Sequence, residues 1–188
     1  IGKHGGVEHV MLDFSQSVLE KLTMDDKFLI KSVGQGLKLS EHPGIFCYNL
    51  APSLFNKMPV KENKNVLEVG VTHILPAQIM GSGIGSLSST RGDYDITTQD
   101  EESIKKYRLF ELRLGDIVAI EDADTRYGRC FRKGAITIGV VIHCNSFASG
   151  HGPGVMTLMT TAEKGKIIPK INSHANVAEI LKIGRFGK

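Results

Sequence analysis

Three apolar runs constrain the fold of this chain more than any other feature: Ile117–Glu121, Ala135–Cys144 and Val155–Thr160. They are rich in β-branched residues, which suit the pleated surface of a strand and crowd a helix. The longest, Ala135–Cys144, is far too short to cross a bilayer as a helix. A chain built on such runs is predicted to be organised by sheets. Shorter signals surround them. Ser15 is placed to cap a helix running to about Leu22, and Lys27–Val33 alternates as a strand does. Pro52 suits the first position of a brief helix through Lys57. Val66–Met80 reads as one bent strand or two, interrupted at Pro76. Asp100 can cap a helix through about Tyr107, with Glu101 and Glu102 favourably placed in its first turn, and Ser173 a last helix over Ala175–Leu181. The expected architecture is a β-rich α+β protein, with mixed or barrel-like sheets and short peripheral helices.

The 188 residues, 41% hydrophobic and 23% charged, fit one compact domain over 1–188, with a division into 1–60 and 61–188 as the alternative. A net charge of +3 permits an anionic ligand but supplies no concentrated basic face, so nucleic acid is not the expected partner. Cys47, Cys130 and Cys144 are odd in number and irregularly spaced, which predicts free thiols in a reducing compartment. With neither a signal peptide nor a membrane span in the sequence, the expectation is a cytoplasmic protein. The opening Ile1-Gly-Lys-His-Gly-Gly-Val7 resembles a hairpin turn whose first strand has been removed, with Val7–Phe14 as the returning strand. On that reading the chain is the carboxy-terminal part of a longer protein, and the missing segment lies upstream or on a separate chain.

Candidate functional residues gather in the second half. Asp93-Tyr94-Asp95 and Asp122-Ala123-Asp124 share a two-residue spacing that puts both carboxylates on one face of extended backbone. Their mutual repulsion is relieved by a divalent cation, a nearby arginine or a raised pKa. His143 stands where an apolar strand hands over to a loop, and His151 lies in Gly150-His-Gly-Pro-Gly154 with little to cover it. Asp122, Asp124, His143 and His151 are the predicted ligands of a zinc, manganese or magnesium ion, with Glu121 or Asp95 moving protons. Gly81 and Gly83, in a glycine loop whose amides can cradle an anion, are predicted to bind the ligand together with Arg126 and Arg129. Two other accounts of those arginines compete: contact with RNA, and neutralisation of the aspartates beside them, which needs no ligand and is the favoured one. Leu22–Ile30 and Leu112–Ile120 echo each other, each with an aspartate in a turn that feeds an apolar run. Ordinary turn chemistry accounts for both.

Gly2-Lys-His-Gly-Gly-Val-Glu-His9, Gly34-Gln-Gly-Leu-Lys38, Gly92–Asp100, Leu114–Ile120, Asp122-Ala-Asp124 and Gly150–Val155 resemble an uncharacterised prokaryotic family described as a domain of unknown function. The resemblance covers nearly the whole chain and implies members that are longer at the amino end. A second similarity, carried by Gly92–Asp95, Ala135–His143 and Gly150–Gly154, is to the acetamidase/formamidase family of metal-associated hydrolases. It implies a metal-dependent hydrolase of a small amide or similar C–N bond. The alternatives are a homo-oligomer that binds a small anionic metabolite without catalysis, and an RNA-binding small barrel.

Overall fold

The computed structural model describes residues 3–4, 9–10, 12, 14–31, 33, 36–81, 89–90 and 92–187. The strands among these residues are β1 (Lys3–His4), β2 (His9–Val10), β3 (Phe46–Cys47), β4 (Val60–Asn63), β5 (Val66–Val71), β6 (His73–Pro76), β7 (Tyr94–Asp95), β8 (Ile117–Asp124), β9 (Cys130–His143), β10 (Gly154–Thr161) and β11 (Ile167–Ile171). The helices are short: α1 (Gln16–Leu19), α2 (Pro52–Phe55), α3 (Glu101–Lys106) and α4 (Val177–Leu181). This is the expected β-rich α+β class.

The three apolar runs form the centre of a mixed sheet in the order β3-β10-β9-β8-β6, with β7 on β10. All eight residues of β10 are buried, as a strand covered on both faces requires. One face packs against a second sheet, β11-β5-β4, and the larger core lies between them, around Leu67, Val69, Ile117, Ile138, Leu158 and Ile167. The other face curls around a smaller core of Leu75, Ile96, Leu109, Val118, Ile120, Val141 and Val155. The curl brings the sheet's two ends together, because Met80, just past β6, bridges to Ile96, just past β7, although no closed barrel results. β1 and β2 pair as a separate hairpin, so Lys3–His4 supplies a partner strand to His9–Val10.

Local chemistry explains the differences from expectation. Lys27–Val33 is not a strand: among its described residues Leu29 is fully exposed and none pairs with another strand, so alternation without an edge to bond produced no sheet. Val66–Met80 is two strands, but the break falls at Thr72, whose N–H and hydroxyl both donate to the Ile117 carbonyl and turn the chain from one sheet into the other. Pro76 merely ends β6. The last helix is capped by Asn176, whose side chain accepts from the Ala178 and Glu179 N–H groups, rather than by Ser173. Asp100 caps α3 through the Ser103 N–H, with Glu101 and Glu102 in its first turn. The two echoing turns share a bond: Asp26 accepts from the Thr23 N–H at 2.7 Å and Asp116 from the Arg113 N–H at 2.9 Å, yet only the second feeds a strand.

Candidate metal centre

β7 is two residues long, yet it positions the chemistry of this molecule. Asp95 stands opposite Gly154 on β10, and Gly154 stands opposite His143 on β9. The three residues form a row across adjacent strands, with the glycine in the middle. A side chain there would fill the space between the outer two, since a Cβ on Gly154 would overlap both Asp93 Oδ2 and His143 Nε2. Because that space is free, carboxylate and imidazole meet above the sheet.

They meet closely. His143 Nε2 is 2.5 Å from Asp93 Oδ2 and 3.6 Å from Asp95 Oδ1. Its Nδ1 lies 2.8 Å from the Cys144 carbonyl oxygen. Both ring nitrogens therefore face acceptors, which is the environment of an imidazolium. Asp93, then Asp95, raise the His143 pKa from 6.5 to about 10, against the opposing effect of burial. Both aspartates are buried, and one ligand atom from each of Asp93, Asp95 and His143 falls within 4.8 Å of the others. A divalent cation held by these three residues would have to displace that proton, because an imidazole ligates a metal in its neutral form.

His151 borders the cluster on its open side. Its Nδ1 is 2.9 Å from Asp95 Oδ2, and its side chain is 42% exposed. Asp95 thus presents one oxygen to each histidine. The loop carrying His151 is held by Gln99 Nε2, which donates to the His151 carbonyl at 3.1 Å, and by the Thr98 hydroxyl, which donates to Asn145 at 2.5 Å. Gly152 passes so close to the Ile96 carbonyl that a Cβ could not be accommodated. Gly81 has the same constraint against the Gly150 carbonyl, and its N–H donates to the Asp95 carbonyl at 2.7 Å. That bond ties Gly81 to the backbone of β7. Arg129 lies nearby, its guanidinium 5.3 Å from the Tyr94 ring centroid.

Of the residues singled out in the sequence, the structure brings Asp95, His143 and His151 together and engages Asp122 and Asp124 elsewhere. Asp122 is left-handed, with φ 61°, at the bulge of β8, and its carboxylate accepts from the Gly134 N–H at 2.7 Å. Asp124 accepts from Arg126 Nε at 3.0 Å and Nη2 at 2.8 Å, bonds that hold its carboxyl below the usual range. Arg126 thereby neutralises its neighbour, one of the three roles that the sequence offers for it. Glu121 is exposed on β8, in register with Pro76 and Ile136. Gly83 lies outside the described residues. Asp93 was missing from the predicted set, although its two-residue spacing from Asp95 was visible. Cys47 is buried, while Cys130 and Cys144 are exposed free thiols. No helix among the described residues is long and apolar enough to cross a membrane.

Comparison with known proteins places the molecule in a family. Residues 57–181 match the carboxy-terminal part, and residues 1–56 the amino-terminal part, of a domain of unknown function, DUF4438. The chain belongs to that family. It is similar to a solved structure described as "Crystal structure of TM1086", with 46% sequence identity and a TM-score of 0.88 over 95% of this chain. The chain spans 62% of the length of that one. No curated protein matches it.

Proposed function

We propose that this member of the DUF4438 family is a divalent-metal-dependent hydrolase of a small amide or similar C–N bond, with the ion held by Asp93, Asp95 and His143. The observation that carries this reading is the convergence of two buried carboxylates, at and just before β7, with one imidazole from the end of β9, over a glycine that leaves them room. The mixed oxygen and nitrogen donor set suits zinc or manganese. When bound, such an ion supplies an activated water and polarises a carbonyl.

The remaining work falls to His151 and Asp95. His151 Nδ1 lies 2.9 Å from Asp95 Oδ2, and in the tautomer with its proton on Nδ1 the ring offers the Nε2 lone pair to a substrate. His151 takes the proton from the attacking water and returns it to the leaving amine, and Asp95 orients the ring. Asp122 and Asp124 serve the framework in this reading.

Metal analysis with Zn²⁺ and Mn²⁺ tests the proposal. The wild-type chain is expected to bind one ion, His143→Ala and Asp93→Asn to lose it, and Asp124→Ala to retain it. A chelator-sensitive activity on a panel of small amides should disappear in His151→Ala while the ion stays bound. A wild-type protein that takes up no ion, or variants at Asp93 and His143 that bind as well as wild type, would refute it.

A further inference from the structure

Arg129 is a cation that the proposed reaction does not use. It follows the turn after β8 and places its guanidinium against Tyr94, the residue between the two carboxylates of the centre. Its Nε is buried and has no hydrogen-bond partner among the described residues. An arginine that is stacked on an aromatic ring, desolvated and left with an unused N–H is prepared for an oxyanion, whose geometry its donors match. Asp93 and Asp95 are the carboxylates whose charge acts on Arg129 here.

Those two carboxylates cannot serve both partners fully. Once their negative charge is spent on a divalent ion, the guanidinium is left uncompensated in a partly buried setting, which is unfavourable until another anion arrives. We propose that Arg129 makes the metal-loaded centre an anion site, so that its substrate carries a carboxylate or phosphate group close to the bond being cleaved. This inference rests on the metal-hydrolase reading of the same site and adds to it the substrate class and the residue that selects it.

Calorimetric titrations with Mn²⁺, acetate and methyl phosphate test it, the two anions distinguishing carboxylate from phosphate selection. At least one of them should bind the Mn²⁺-loaded wild type and bind the metal-free protein much more weakly. Arg129→Gln should weaken that anion by about tenfold or more, since charge-assisted bonds are lost. The same substitution should tighten Mn²⁺ several-fold, because a neighbouring cation is gone. Arg129→Lys, which keeps the charge and loses the fork, should fall between the two.

An unchanged anion affinity in a folded Arg129→Gln variant overturns the inference and leaves the metal reading standing. Failure of the wild type to take up Mn²⁺ overturns the metal reading, and the inference falls with it. Should Arg129→Gln not fold, the wild type alone decides: saturating anion must raise Mn²⁺ affinity by the same factor by which Mn²⁺ raises anion affinity. No mutual effect, after correction for Mn²⁺–anion complexes in free solution, overturns the inference.

Discussion

Gly154→Ala puts one methyl group into the space where Asp93 and His143 meet. Gly154 does not need a left-handed backbone, so alanine is opposed here by space alone. Either Asp93 or the imidazole must move, and their 2.5 Å bond is lost. The His143 pKa of about 10, up from 6.5, corresponds to a preference for the imidazolium form on the order of 5 kcal/mol. Asp95 supplies part of this and solvent screens part, so losing the Asp93 bond should cost about 2–3 kcal/mol. Overpacking adds about 1–3 kcal/mol that does not depend on pH.

The pH dependence separates the two contributions. Because the folded-state pKa is raised, this stabilisation is complete below the unfolded pKa of about 6.5 and is lost as pH rises through the folded value of about 10. Urea unfolding of metal-free protein should therefore show the full penalty of Gly154→Ala at about pH 6 and only the packing share at about pH 10.5. NMR titration of the His143 ring should place its pKa well below the wild-type value. A penalty equal at both pH values, or a ring pKa that stays near 10, would refute the argument that Gly154 exists to admit this pair.

Two further predictions concern the framework. Asp116 is fully buried and accepts from the Arg113 N–H and Nη2, each at 2.9 Å, and from Asn176 Nδ2 at 2.8 Å. Asp116→Ala should cost about 2–4 kcal/mol in denaturant unfolding, somewhat less than a fully enclosed ion pair because Arg113 can turn to water. Cys130 and Cys144, both exposed, should react readily with a thiol reagent, whereas Cys47, buried and with its pKa pushed up to about 11, should react only on unfolding.

What could be read from the chain followed from how local each signal is. The β8–β10 runs, the Asp100 cap and the Pro52 start depend on neighbours within a few residues, and all three appear in the structure. Lys27–Val33 shows the limit: alternation is necessary for a half-buried strand, but a strand also needs an edge to pair with, and none of its described residues has one. β3, β7 and β11 escaped for the complementary reason. β3 and β7 are two residues long, and β11 is parallel to β5 and contains Pro169, so each owes its existence to a distant partner.

The candidate centre divides in the same way. By its own pattern the sequence determined a β-rich fold, the presence of two Asp-x-Asp pairs, and a histidine at each end of the loop after the longest apolar run. It did not determine which pair would meet those histidines. The tertiary structure decided that, because the pairing of β7 with β10 carries Asp93 and Asp95 to His143. The bulge of β8 and the Arg126 side chain occupy Asp122 and Asp124 instead. The physical reason is that both pairs look alike in extended backbone, and only long-range strand pairing settles which carboxylates share a space with an imidazole.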